Sequence, residues 1–209
     1  MKMTFKILIP ILFLFAELAI AGNQQYENIS LANRQQLRQS LTLDSSGINS
    51  FESSAAAVEW LRFQSKNLQA RIPNEHIRRS WLRLVHYEST RFGLDPDLVL
   101  ALIEIESNFN RFAISNVGAS GLMQVMPFWR DLIGETRDSL FDVHTNVRYG
   151  CIILKHYIDI EKGNLERGLA RYNGSLGQST YSDLVLNKWR SKYKMSRSWP
   201  DWSRLNAHK

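Results

Sequence analysis

Apolar residues recur at spacings of three and four along most of the chain after position 53, which predicts helices rather than strands. Asn74 and the Asp95-Pro96 pair are typical of helix starts, and Gly93 is typical of a helix end. The predicted helices are about 53–70, 74–92, 95–109, 127–133, 146–161, 165–172 and 181–193. Because no convincing strand alternation appears, the predicted class is mostly α, in one domain.

The first 52 residues do not share this pattern. Two lysines precede an apolar run, and Ala19-Ile20-Ala21 places small residues around a cleavage point, so residues 1–21 are predicted to be an export signal cleaved after Ala21. A membrane anchor is the alternative, although the apolar run is short for a bilayer span. Residues 22–52 are rich in Gln, Asn and Ser, which predicts a weakly ordered lead-in.

The length and composition suit a globular protein with one core. The chain has 209 residues, of which 44% are hydrophobic and 22% charged, close to the average for globular domains. Its single cysteine, Cys151, excludes an internal disulfide and lies in an apolar helical stretch, which favours a buried hydrophobe over a nucleophile. The five histidines are scattered without a His-Glu-x-x-His pattern, so we predict neither a metal nor a cofactor.

One carboxylate occupies an apolar position. Glu106 shares a face of its predicted helix with four apolar residues, Val99, Leu102, Ile103 and Phe109. Apolar surroundings favour the protonated form of a carboxylic acid, and cleavage of a glycosidic bond at neutral pH requires such an acid. Glu106 is therefore a candidate catalytic acid, and a structural carboxylate paired with another side chain is the alternative.

Glu104, two residues earlier, serves as the comparison. It lies about 200° away around the helix axis, near Asp97 and Asn108 on the side predicted to be polar. We therefore expect Glu104 to be an ordinary solvated charge, and we expect a Glu104→Gln substitution to be nearly silent.

Two motifs lie at and beyond Glu106. Residues 106–127 read Glu-Ser-Asn-Phe-Asn-Arg-Phe-Ala-Ile-Ser-Asn-Val-Gly-Ala-Ser-Gly-Leu-Met-Gln-Val-Met-Pro, and residues 170–174 read Ala-Arg-Tyr-Asn-Gly. Together they closely resemble the signature of the soluble-type (SLT) lytic transglycosylases, which are lysozyme-like enzymes of bacterial peptidoglycan. The resemblance covers roughly residues 75–193. It departs from the family pattern by a Gly directly after the Asn of the second motif.

The resemblance implies roles for six residues. Glu106 matches the catalytic glutamate of the family. The other matches are predicted to bind substrate, and they are Ser115, Gln124, Met126, Tyr172 and Asn173. Among these, Ser115 matches a serine that orients the muramic acid residue, and Tyr172 matches a tyrosine whose hydroxyl lies near the catalytic carboxyl. Gln124 and Met126 match positions that line the cleft, although Met126 could equally be a core residue.

The resemblance also implies a mechanism. Glu106 would act first as acid and then as base, closing a 1,6-anhydro ring on N-acetylmuramic acid without consuming water. A hydrolytic muramidase of the same fold and a non-catalytic wall-binding assembly protein stay open as alternatives. Hydrolysis would need a second carboxylate, for which the candidates are Asp131, Glu135, Asp138 and Asp142.

The predicted organisation follows from these assignments. It comprises a signal peptide over 1–21, a partly helical extension over 22–74, a lysozyme-like catalytic domain over 75–193 and a basic tail over 194–209. We expect a periplasmic location, with peptidoglycan glycan strands as the partner and no nucleic acid. From residue 188 onward, seven Lys and Arg residues face a single acidic residue, an excess that attracts polyanions such as an anionic wall or membrane surface, and a merely solvated C-terminus is the alternative.

Overall fold

A computed structural model of the protein describes residue 24, residues 26–42 and residues 50–195. These residues form eight α-helices followed by a π-helical turn. The bounds are α1 Leu31–Thr42, α2 Ser54–Leu68, α3 Glu75–Arg91, α4 Pro96–Ser107, α5 Pro127–Ile133, α6 Val143–Ile160, α7 Leu165–Asn173, α8 Thr180–Lys188 and the π turn Trp189–Tyr193. The mostly α prediction is confirmed, because extended pairing within the described ranges is limited to two isolated bridges.

Side-chain caps account for where many of the helices begin. In six of them, a side-chain oxygen of the residue before the helix accepts a hydrogen bond from a backbone N–H of the first turn. These residues are Ser30, Ser53, Asn74, Asp95, Asp142 and Asn164. The helix starts predicted at Asn74 and at Asp95-Pro96 are therefore confirmed.

Helix α4 lies in the core and packs against α3, α8 and the π turn. Every residue from 96 to 104 is buried, and so is Glu106. Cys151 of α6 is also buried, which confirms its prediction as a core residue. Because α4 is covered almost all round, the polar side predicted for Glu104 does not face water.

Helix α1 corrects the prediction of a weakly ordered lead-in, because residues 31–42 form a helix that packs against α5 and α6. Two arginines from the rest of the fold hold its last turn. Arg91 donates to the carbonyl of Ser40, and Arg148 donates to that of Leu41 at 3.1 Å. These partners are distant in sequence, so the polar composition of the segment gave no sign of them.

Two predictions concern parts of the chain that the structure does not describe. The cleavage point after Ala21 precedes the described residues, and most of the basic tail follows residue 195. Within the described ranges, no helix has the length and apolar character that a membrane span needs.

Candidate active site

Glu106 lies in the last turn of α4 with only 3% of its surface exposed. The hydroxyl of Tyr181, on α8, donates a hydrogen bond to Glu106 Oε1 at 2.5 Å. Burial, followed by the negative charge of Glu106, raises the pKa of Tyr181 well above its ordinary value. The phenol therefore stays protonated and acts as a donor that fixes one oxygen of the buried carboxyl group.

The sequence analysis missed Tyr181 and pointed instead to Tyr172. The Tyr172 hydroxyl donates to the carbonyl of Met123 at 2.7 Å rather than to Glu106. Burial and then the charge of Glu106 raise the pKa of Tyr172 well above its ordinary value, so this hydroxyl also stays protonated. The available signal for Tyr181 was its spacing of four from Val185, which marks the buried face of α8.

The segment over residues 113–126, which carries Gly118 and Gly121 and is called the Gly-rich loop below, lies between α4 and α5 and is held by Asn146 of α6. Asn146 is 1% exposed. Its Oδ1 accepts from the N–H of Met123, and its Nδ2 donates to the carbonyls of Ser120 and Leu140, all at 2.8 Å. A Cβ at Gly121, where φ is +80°, would lie 2.3 Å from Asn146 Nδ2. The loop therefore requires glycine at this position both for its backbone conformation and for space.

The predicted substrate residues of this loop lie at different depths. Gln124 is 1% exposed, and its Nε2 donates to the carbonyl of Ala113 at 3.2 Å and to a second loop carbonyl at 3.0 Å. Its side chain therefore braces the loop. Ser115 and Met126 are half-buried, and Ser115 Oγ accepts from the N–H of Ala119 at 3.0 Å. Their roles toward substrate stay predictions.

The two motifs meet at the hydrogen bond from the Tyr172 hydroxyl to the Met123 carbonyl. Ser107, next to Glu106, donates to the carbonyl of Leu122 at 2.8 Å and so ties α4 to the Gly-rich loop. Asn173 ends α7 and is 4% exposed. Its Oδ1 is buried and accepts no hydrogen bond within the described part of the chain. An unsatisfied buried acceptor is costly, and the role of Asn173 toward substrate stays a prediction.

Comparison with known families assigns the chain. The family model "Transglycosylase SLT domain" matches residues 83–195, which is more than half of the chain. The chain belongs to the Transglycosylase SLT domain family. The family resemblance identified from the two motifs is confirmed, and with it the predicted mostly α, lysozyme-like class.

Several curated proteins are similar to this SLT domain protein. A transglycosylase of Enterobacteria phage PRD1 is 32% identical over 101 residues, which are 48% of this chain and 37% of that protein. Membrane-bound lytic murein transglycosylase C of Photorhabdus laumondii subsp. laumondii is 33% identical over 124 residues, 51% of this chain and 35% of that protein. The corresponding protein of Glaesserella parasuis serovar 5 is 38% identical over 85 residues, 36% and 23% of the two chains. This chain thus spans between 23% and 37% of these relatives' lengths.

One solved structure is also similar, that of an inactive mutant of the lytic transglycosylase Slt from Pseudomonas aeruginosa. The match covers 81% of this chain and 35% of that chain, with 19% sequence identity and a TM-score of 0.43. A similarity of this size assigns neither fold nor function by itself.

Glu104 of the SLT domain is not the solvated charge that the helical projection predicted. Its side chain is 4% exposed, and its oxygens lie 2.8 Å from Arg71, 2.6 Å from Lys192 and 3.1 Å from Lys188. The Tyr193 hydroxyl also donates to it. Burial opposes ionisation, but the hydrogen bonds from Lys192, Tyr193 and Lys188 outweigh it and lower the pKa of Glu104. Lys188 and Lys192, which belong to the basic stretch from residue 188 onward, therefore neutralise the buried charge of Glu104.

Proposed function

We propose that this protein is a lytic transglycosylase that cleaves the β-1,4 bond between N-acetylmuramic acid and N-acetylglucosamine in peptidoglycan and leaves 1,6-anhydromuramic acid ends. The observation that carries the proposal is the buried carboxyl group of Glu106, held by the hydroxyl of Tyr181 inside an SLT domain. The names of the relatives, several of which are lytic murein transglycosylases, support the same reaction.

The reaction needs one carboxyl group in two protonation states. Protonated Glu106 gives its proton to the glycosidic oxygen as the bond from that oxygen to the muramic C1 breaks. The substrate's N-acetyl group stabilises the positive charge at C1. The Glu106 carboxylate then takes the proton of the muramic C6 hydroxyl while the C6 oxygen bonds to C1. The anhydro ring closes, Glu106 is protonated again, and no water is consumed.

Tyr181 has a defined part in this cycle. A donor hydroxyl binds an ionised carboxylate more strongly than a neutral acid. The bond to Glu106 Oε1 therefore supports the stage in which Glu106 has lost its proton and acts as a base. It also limits rotation of the carboxyl group, so that the proton is returned at the position from which it left.

The contacts of the other acidic candidates favour this chemistry over hydrolysis, which uses a second carboxylate. Two of them pair with neighbouring arginines, one accepts a hydrogen bond from Tyr149 at 2.5 Å, and one caps α6. In chain order they are Asp131, Glu135, Asp138 and Asp142. Each of these carboxylates thus has a partner of its own among the described residues.

The substrate would contact the loop and α7 around Glu106. We assign this role to Ser115, Gln124, Met126, Tyr172 and Asn173. Tyr172 has the strongest support, because its hydroxyl donates a hydrogen bond to the Met123 carbonyl of the loop and its pKa is raised by burial and then by the charge of Glu106. For Gln124, the backbone is the better candidate for contact, since its side chain is committed to the loop.

The chain is further proposed to be exported and to act in the periplasm, with the signal peptide cleaved after Ala21 and the catalytic domain over 75–193. Similarity to proteins named membrane-bound lytic murein transglycosylase supports an envelope location. N-terminal sequencing of the exported protein should begin at Gly22, and a retained Met1 would contradict cleavage. The tail over 194–209 would add a salt-sensitive attraction to anionic surfaces.

Product analysis tests the proposed reaction. Purified peptidoglycan digested with the wild-type protein should yield muropeptides with 1,6-anhydromuramic ends by mass spectrometry. Glu106→Gln should yield none, whereas Glu75→Gln, at an exposed position of α3, should act like wild type. Products with reducing ends, heavier by one water, would make the protein a hydrolytic muramidase. Binding without any cleavage would make it a wall-binding protein.

A further inference from the structure

The segment before α1 lies against the candidate active site. Gln24 is only 2% exposed, although glutamine is mostly an exposed residue in proteins. Its burial comes from contact with the Gly-rich loop and with α7, both of which are distant from it in sequence. A polar side chain buried this deeply needs hydrogen-bond partners.

The carboxamide of Gln24 bridges two backbone groups of the loop. Its Nε2 donates to the carbonyl of Gln124, and its Oε1 accepts from the N–H of Met126, both at 3.4 Å. These distances are long for hydrogen bonds, so each contact is weak. The bridge therefore satisfies the buried amide without binding it tightly.

Tyr172 places this bridge near the catalytic carboxyl. Its environment includes both the Gln24 side chain and the charge of Glu106. Its hydroxyl donates to the carbonyl of Met123, the residue before Gln124. The Gln24 side chain therefore contacts three residues that the proposed function assigns to substrate binding, Gln124, Met126 and Tyr172.

A glutamine carboxamide and an acetamido group share their chemistry. Each carries one carbonyl acceptor and an N–H donor on the same carbon. Both sugars of the substrate named above carry an acetamido group, so this inference rests on the proposed function. We propose that the Gln124 carbonyl and the Met126 N–H form an acetamido-binding subsite, and that Gln24 fills this subsite as an internal competitor that the glycan must displace.

The contacts of residues 26–30 allow the Gln24 side chain to be displaced while the segment stays attached. Ile29 is buried in the core and fixes the end near α1. Nearer the loop, Glu27 pairs with Arg171 at 2.5 Å, and both side chains are partly exposed, at 34% and 20%. Such pairs contribute little and weaken with salt. The tethered carboxamide is therefore always near the subsite, which gives a weak binder a high effective concentration.

Binding of the β-1,4-linked tetramer of N-acetylglucosamine tests the subsite. Titration calorimetry would use the Glu106→Gln protein, so that no turnover occurs. Adding Gln24→Ala should raise the affinity about three- to tenfold, as expected for the loss of two weak competing hydrogen bonds. Gln36→Ala, at an exposed position of α1, should leave the affinity unchanged. In protein that keeps Gln24, the tetramer should also increase amide hydrogen exchange over residues 26–30.

The outcomes separate this proposal from the proposed function. Weaker or unchanged affinity in Gln24→Ala, no binding of the tetramer, or unchanged exchange over 26–30 would each overturn the internal competitor. The exchange measurement does not depend on how Gln24→Ala folds. The proposed function instead fails in the product analysis of the wild-type protein, which the binding experiment does not use.

Discussion

Glu104 and Glu106 lie two residues apart on one buried helix, yet the structure predicts opposite consequences for replacing each of them with glutamine. Glu104→Gln should lower the free energy of unfolding by about 2 kcal/mol and leave the folded protein active. Glu106→Gln should abolish turnover and leave the fold intact, because glutamine keeps the shape of the side chain but cannot cycle a proton.

The magnitude for Glu104 follows from its surroundings. Removing one partner of a fully buried ion pair costs about 3–5 kcal/mol. Here the three cations are 25–34% exposed, so water can partly solvate them once the carboxylate is gone. Glutamine also keeps one acceptor oxygen for the Tyr193 hydroxyl. A loss of about 2 kcal/mol corresponds to a fall of about 4–8 °C in Tm for a chain of this size.

The stability loss in Glu104→Gln should also depend on pH, which gives a second and independent test. The pKa of Glu104 lies below its ordinary value of 4.5, so the folded state favours the ionised form. Its stabilising contribution is complete above about pH 4.5 and is lost as the pH falls through the folded-state pKa. The difference in Tm between wild type and Glu104→Gln should therefore be full at pH 7 and should shrink steadily below pH 4.5.

Thermal unfolding at pH 7 and at steps down to pH 3.5, beside the rate of glycan release, measures both variants. Equal stability of wild type and Glu104→Gln at pH 7 would refute the ion-pair account. A difference that persists unchanged in acid would instead point to packing. An active Glu106→Gln protein would refute the catalytic assignment itself.

Three further substitutions test the site and its supports. Tyr181→Phe removes the donor to Glu106 and should lower kcat about 10- to 100-fold. Tyr157→Phe is the control and should leave kcat unchanged, because it removes a buried hydroxyl that has no hydrogen-bond partner in the described structure. Burial and then the charge of the neighbouring Asp97 raise the pKa of Asp95 to about 6, so the free energy of unfolding falls as the pH rises from about 4 to 6. Asp95→Asn should therefore raise the free energy of unfolding by up to about 3 kcal/mol at pH 7.5 and leave it unchanged at pH 4. A gain that is independent of pH would contradict this. Gly121→Ala should cost about 2–4 kcal/mol in urea unfolding, because its Cβ would clash at 2.3 Å; unchanged stability would refute the steric argument.

Features encoded locally could be predicted from the sequence. The cap residues Asn74 and Asp95 mark helix starts because their side chains bond to backbone within the same few residues. The apolar face of α4 likewise identified Glu106 as a buried carboxyl group, since helical periodicity alone places it there.

Features that depend on distant partners could not be predicted. Glu104 appeared solvated because a helical projection assigns a polar side to water, whereas the cations that pair with it come from the turn after α2 and from the C-terminal end of the fold. Asn146 holds the Gly-rich loop from the buried face of α6, and nothing in its immediate sequence indicates that use. Helix α1 likewise depends on arginines of α3 and α6 for its last turn.

The two glutamates of α4 bind the same C-terminal segment from opposite sides of the helix. Glu106 receives the hydroxyl of Tyr181 at the start of α8, and Glu104 receives Lys188 and Lys192 at its end and in the π turn. The ion cluster therefore holds the segment that carries Tyr181. Since a carboxyl group and its donor must keep their geometry within a fraction of an ångström to act together, the cluster at Glu104 stabilises the register of α8 on α4, and the acceptor that glutamine keeps for the Tyr193 hydroxyl maintains that register in the folded Glu104→Gln protein.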